Sequence, residues 1–143
     1  MIIHATTDYI SDMTELTSIL WDEDYDILKS EIEKDIKKSD SAYFMKMIED
    51  KPVAFAHCQL RYDYVEGTNS SPVGYLEGIF VREEHRNQNI GTELIKECEQ
   101  WAKDHGCTEF ASDCELDNTS SLEFHLKNDF EEMNRIICLR KTL

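Results

Sequence analysis

The apolar and polar positions of this chain change period several times, and each change marks an element. Met13, Leu16, Ile19 and Leu20 recur at helical spacing, which predicts a helix beginning near Ser11, a residue type suited to the N-cap. An acidic break, Asp22-Glu23-Asp24, separates it from a second amphipathic helix. That helix carries Leu28, Ile32 and Ile36 on one face and Glu31, Glu33, Lys34, Lys37 and Lys38 outside. From Ala42 to Ile48 the pattern turns strand-like, Glu49 to Pro52 supplies a turn, and Val53 to Tyr64 reads as the other arm of a hairpin. After a polar loop over 66–72, Val73 to Val81 (VGYLEGIFV) is a near-continuous apolar strand, which predicts burial on both faces. Glu77 interrupts it and Gly78 marks a bulge. Ile90 to His105 is the clearest helix, with Ile90, Leu94, Cys98, Trp101 and Ala102 as its inner stripe and Gly106 as its stop. Cys107 to Ser112 reads as a short strand, Thr119 to Asn128 as a short helix, and Phe130 to Leu139 as a final strand. The order predicts one α/β domain over residues 1–143, a mixed central sheet flanked by helices.

Composition narrows the function classes. A chain of 143 residues, 41% hydrophobic and 31% charged, is expected to bury its own core as one domain. No apolar run reaches the ~18 residues of a membrane span. The first ten residues lack the basic-then-apolar signature of a signal peptide, so a cytoplasmic location and no membrane partner are expected. The five cysteines form no Cys-x-x-Cys pair and read as small buried side chains, and the five histidines are scattered, so no metal is expected. The net charge of −15 argues against a nucleic-acid partner and fits either a solvated acidic face or attraction of a polycation.

Chemistry concentrates in Leu76 to Trp101, where a strand ends, a loop of basic and small polar residues follows, and a long helix begins. Backbone N–H groups and the helix dipole make such a junction a phosphate site. The loop Arg86-Asn87-Gln88-Asn89-Ile90-Gly91, continued by Thr92, resembles the acyl-CoA loop of the GNAT N-acetyltransferases, Arg/Gln-x-x-Gly-x-Gly/Ala, with Asn89 at the first glycine. A second stretch, Asn118 to Phe130, is similar to that family's C-terminal pattern. It carries His125 where a tyrosine usually protonates the departing thiolate and Asp129 where a glycine usually stands.

The closer resemblance is to the aminoglycoside 6'-N-acetyltransferase branch. It rests on RYDYVEGTNSSPVGYLEGIFV (61–81), EQWAKDHGCTEFASDCELDN (99–118) and Leu20-Trp21. The resemblance implies acetyl-CoA as co-substrate, an aminoglycoside acceptor and a homodimer. It also implies acceptor contacts from Trp21, Tyr64, Glu77 and Asp113, and an acidic contact near Asn134, for which Glu132 is the neighbouring carboxylate. Acetyl-CoA would be held by the backbone of Ile79, Phe80 and Val81, by the 86–92 loop and by Asn118, with His125 at the thiolate. The thiolate's proton would come from His125 or from water. Physical reading agrees, because a polyamine's ammonium groups want carboxylates and aromatic faces. Glu77 lies in an otherwise apolar strand, where an unpaired charge is costly, and Asp113 ends a strand. Plainer roles stand beside these: Glu77 paired with Arg82 or Arg86, Asp113 as a cap, Trp21 and Tyr64 as ordinary aromatics. Two alternatives share the fold, an acetyltransferase for another amine (a polyamine or a protein N-terminus) and a non-catalytic acyl-CoA sensor.

Overall fold

The computed structural model describes residues 1–143. Its elements run β1 (Ile2–His4), α1 (Ile10–Leu20), α2 (Tyr25–Asp35), β2 (Ser41–Ile48), β3 (Lys51–Arg61), β4 (Val73–Val81), α3 (Ile90–Asp104), β5 (Phe110–Ser112) and α4 (Thr119–Lys127). The strands form one sheet in chain order, antiparallel from β1 to β4, with β5 parallel to β4. This is the expected mixed α/β sheet. Helices cover both faces. Met13 and Leu16 of α1 and Ile32 of α2 pack on Tyr43, Met45, Phe55 and Phe80. Leu94, Ile95, Cys98 and Trp101 of α3 pack on Ala54, Ala56, Cys58 and Leu76. Alternation along β3 sends Phe55 and Ala56 to opposite layers, as a strand buried on both faces requires.

Several boundaries differ from the sequence expectation. Ser11 does not cap α1: a 3₁₀ turn over Thr7–Tyr9 feeds directly into the helix, Tyr9 takes the cap position, and Ser11 lies inside the first turn. The acidic break caps α2 instead, with Asp24 accepting from the N–H groups of Asp26 (2.9 Å) and Ile27 (3.3 Å). The β2–β3 turn is only Glu49-Asp50, both left-handed, so β3 begins two residues earlier, at Lys51. The short β1 strand, absent from the sequence reading, hydrogen-bonds along β2 from Ile2 to His4. Of the stretch from Cys107, only Phe110–Ser112 is strand.

The expected final strand over Phe130–Leu139 does not form. The apolar run Ile136 to Leu139 supplies strand propensity, but propensity alone does not pair a strand, and the tail leaves the outer edge of β5 unpaired. Here the tail turns instead to the 66–67 loop. Met133 packs on Gly67, and Asn134 Nδ2 donates to Glu66 Oε1 at 3.2 Å. Ile136, Ile137 and Leu139 stay exposed. The cysteine reading also needs correction: Cys58, Cys98 and Cys107 are buried, whereas Cys114 is half-buried and Cys138 exposed.

His57 of β3 is buried, its ring stacked on Tyr43 at 4.1 Å and its Nε2 2.9 Å from Ser41 Oγ, both on β2. Burial pushes it down to about 4, below the ~6.5 of an unfolded histidine. A depressed histidine stabilises the fold in its neutral form, so its contribution is complete above pH ~6.5 and is lost as pH falls toward 4, up to about 3 kcal/mol. The urea midpoint of the wild type should therefore fall relative to that of His57→Gln as the pH drops from 7 to 4.5.

Candidate active site

Antiparallel β3 and β4 keep register from Val81↔Ala54 to Gly78↔His57, then slip by one residue, so that Leu76 faces Cys58. Glu77 is the extra residue of a bulge in β4. The bulge keeps Leu76 and Ile79 together on the α3 side and leaves Glu77 and Gly78 together on the α1 side. The sequence placed the bulge at Gly78, one residue late.

Glu77 is not an unpaired charge, and its partner is neither Arg82 nor Arg86. Arg61 grips it bidentately, Nε to Oε1 at 2.9 Å and Nη2 to Oε2 at 2.9 Å, and Gln59 Nε2 adds a bond to Oε1 at 2.7 Å. Arg82 instead pairs with Glu15 (2.5 Å), and Arg86 Nε donates to the Val81 carbonyl at 3.0 Å. The Arg61 guanidinium lies 3.4 Å from the centroid of the Tyr75 ring. Its hydrogen bond to Glu77 holds it further above the ordinary arginine range. Tyr75 in turn donates its hydroxyl to Asp113 Oδ2, just beyond β5. Burial first, and this bond second, push the Tyr75 phenol well up, so it remains a donor. Glu77 and Asp113, predicted separately, are thus tied into one chain of contacts by Gln59, Arg61 and Tyr75, which the sequence reading missed. The available signal was alternation: Gln59 and Arg61 share a face of β3, and Tyr75 stands two residues before Glu77.

Trp21 closes one side. Its six-membered ring lies over Gly78, where a Cβ would sit 2.7 Å from two ring carbons, so only glycine admits the indole. Its edge meets Phe55 at 6.0 Å. Trp21 remains 37% exposed, which leaves part of the ring free to meet a ligand. Tyr64 is 76% exposed, and Gly67 N–H approaches its hydroxyl at 3.4 Å. Glu132 lies on the exposed tail and is paired with Arg135, which holds its carboxyl below the usual range. The tail rests on the loop after Tyr64, but Glu132 makes no contact with the Glu77–Asp113 chain.

The other half of the site is an opening in the sheet. β5 pairs with β4 only over Gly74↔Phe110 to Leu76↔Ser112, so the edge of β4 over Ile79, Phe80 and Val81 has no strand beside it. Beyond that edge Asn87 and Asn89 are both left-handed (φ 61° and 62°). Asn89 holds the conformation for which the family pattern uses glycine. The N–H groups of Asn87, Gln88, Asn89, Ile90, Gly91 and Thr92 find no acceptor within the chain, while Glu93 N–H already donates to Asn89 O. That is a cradle of free donors at the positive end of a fifteen-residue helix. Gly91 sits against Phe124 of α4, where a Cβ would come within 2.8 Å of the ring.

Asn118 caps α4, accepting from Ser121 N–H at 3.1 Å. Asp129 is also left-handed (φ 66°), again standing in for a glycine. His125 is buried. Its Nδ1 lies 2.7 Å from Ser121 O, a pure acceptor, so Nδ1 carries the hydrogen, and Nε2 meets Ser112 Oγ at 2.8 Å. Phe124 and Phe130 face the ring edge-on.

Comparison with known proteins agrees with this geometry. Residues 7–130 match the acetyltransferase (GNAT) family. An aminoglycoside N(6')-acetyltransferase type 1 of Acinetobacter baumannii is 35% identical over 143 residues, covering 99% of this chain and 98% of the relative. The protein of the same name from Serratia marcescens is 43% identical over 103 residues, 72% of this chain and 70% of the relative. Two solved structures superpose with a TM-score of 0.96 at 33% identity over 100% of this chain. One is the apo aminoglycoside antibiotic 6'-N-acetyltransferase AAC(6')-IG of Acinetobacter haemolyticus, 99% covered. The other is AAC(6')-Iy in complex with the bisubstrate analogue CoA-S-monomethyl-acetylneamine, 98% covered.

The left-handed loop generates a test. Asn89→Gly should keep both stability and CoA binding near wild type, whereas Asn89→Val should cost about 1–2 kcal/mol and weaken CoA binding. Thermal melts and calorimetric CoA titrations read both effects.

Proposed function

Because this chain belongs to the acetyltransferase (GNAT) family, we propose that its acidic cleft receives the aminoglycoside while the loop at the start of α3 holds the acetyl-CoA phosphates. The protein is an acetyl-CoA-dependent aminoglycoside 6'-N-acetyltransferase, the activity named in its relatives. The observation that carries the assignment of parts is the juxtaposition of two carboxylates with the opening between β4 and β5, ten residues before a row of free N–H donors.

The acyl-CoA thioester supplies the acetyl group. The chain binds the phosphates with the N–H groups of 87–92, aided by Arg86, and guides the pantetheine arm along Ile79, Phe80, Val81 and Asn118. On the acceptor side Trp21 and Tyr64 offer aromatic faces, and Glu77, Asp113 and, at the margin, Glu132 offer negative charge. The acceptor arrives as an ammonium ion. Asp113 or Glu77, directly or through a water, takes its proton so that the free amine can attack. A backbone N–H near Ile79 or Phe80 stabilises the oxyanion. The departing thiolate, ordinarily near pKa ~8.5, needs only a weak acid. Both ring nitrogens of His125 already meet partners in the chain, Ser121 O and Ser112 Oγ, so we assign the donor's role to water and read His125 as a support for Ser112. Holding donor and acceptor in line supplies much of the rate. Transfer removes a positive charge from the drug, which weakens its hold on an acidic protein and on RNA alike, and resistance follows. We assign the chain one domain, a cytoplasmic location and a homodimer, in which the apolar tail from Ile136 to Leu139 gains the neighbour it lacks here.

CoA release should occur with kanamycin and tobramycin and not with a 6'-hydroxyl aminoglycoside. Turnover confined to spermidine or a short peptide would move the assignment to another amine. Binding of acetyl-CoA without turnover would point to a sensor. The double change Glu77→Gln, Asp113→Asn should abolish turnover while leaving CoA binding intact. Light scattering should give twice the chain mass, falling to the monomer when residues 135–143 are removed.

A further inference from the structure

Tyr75 stands apart from the residues that face a ligand. Its ring is buried at 6% exposure among Val65, Val73 and Ala111, and the residue belongs to a satellite of the core rather than to the cleft. Its two polar dealings both lead outward. The hydroxyl donates to Asp113 Oδ2, and the ring face carries the Arg61 guanidinium that grips Glu77. One core side chain therefore touches one cleft carboxylate directly and the partner of the other.

Counting hydrogen bonds separates those carboxylates. Glu77 already accepts three N–H bonds, two on Oε1 and one on Oε2. It cannot take a proton on Oε1 without releasing Gln59 or Arg61. Asp113 accepts one bond, on Oδ2, and its Oδ1 has no protein partner. Asp113 is also exposed at the end of a three-residue strand, where an untethered carboxylate would sample several rotamers and lose that freedom on binding. A buried phenol that stays protonated removes the freedom beforehand, because its own ring cannot move.

Resting on the reading of Asp113 as an acceptor contact, we propose that Tyr75 is a positioning residue for acetyl transfer. Its hydroxyl holds Asp113 by one oxygen so that the other meets the acceptor's ammonium, and its ring seats Arg61 on Glu77. Asp113 is then the group that takes the proton, and Glu77 with Arg61 is a fixed ion pair shaping the cleft beside it.

The test is a double-mutant cycle on Tyr75→Phe and Asp113→Asn, read as kcat and KM for kanamycin, KM for acetyl-CoA, and melting temperature. Phenylalanine keeps the ring, its packing and the stack under Arg61, and removes only the hydroxyl. Tyr75→Phe alone should lower kcat/KM for kanamycin about tenfold, the scale of one hydrogen bond to a charged group, with KM for acetyl-CoA unchanged. In the Asp113→Asn background the same change should have less than about a twofold effect, since the partner it positions is gone. Full activity of Tyr75→Phe, or an equal tenfold loss in both backgrounds, would overturn the proposal and leave Tyr75 a packing residue. Undiminished turnover by Asp113→Asn alone would instead remove Asp113 from the acceptor site, and the positioning role with it.

Discussion

One inserted residue in β4 makes the site possible. In a regular strand, side chains alternate strictly, and Leu76 and Ile79, three apart, would fall on opposite faces. The bulge at Glu77 puts both into the core beneath α3 and turns Glu77 and Gly78 together toward α1. A carboxylate thereby enters the cleft next to a glycine that admits the Trp21 ring. The parallel pairing with β5 ends at Leu76, immediately before the bulge. The open stretch of the β4 edge and the carboxylate are adjacent because both follow from that interruption of the ladder.

The electrostatics of the cleft are more balanced than the net charge of −15 suggests. Glu77 is neutralised by a fork of Arg61, and Asp113 is held by a neutral hydroxyl. A buried or half-buried ion pair is seldom a source of stability, because desolvation offsets its attraction. Its value here is geometric: Arg61, pressed on the Tyr75 face, fixes two strands and two carboxylates in one arrangement. The chain's surplus of acid lies outside, where it draws cations toward the cleft without defining it.

Much of this was legible in the sequence, and the exceptions have a common cause. β4 has the bounds its apolar run predicts, and Gly106 ends α3 with a left-handed φ of 84°. Asn89 and Asp129, read as departures from the family pattern, adopt the left-handed backbone of the glycines they replace. Local physics fixes such features, so one-dimensional reading finds them. Alternation along each strand could place Gln59, Arg61 and Tyr75 on one face, but not against Glu77, because no spacing along one strand encodes its neighbour's register. The last segment failed for the converse reason. Its apolar residues are real, but pairing is a property of two strands, and the tail packs on the 66–67 loop rather than on the open edge of β5.

The placement of the two tryptophans gives the molecule a spectroscopic consequence. Trp101 is buried on the inner face of α3 with His105 tilted against it at 4.3 Å, whereas Trp21 lies half-open on Gly78, beside the bulge. Their indoles sense different surroundings, one shielded and one partly open to solvent. The protein thus carries one half-open intrinsic fluorophore beside the bulge and a second, shielded one as an internal reference, so a change at the bulge can be followed optically without a label.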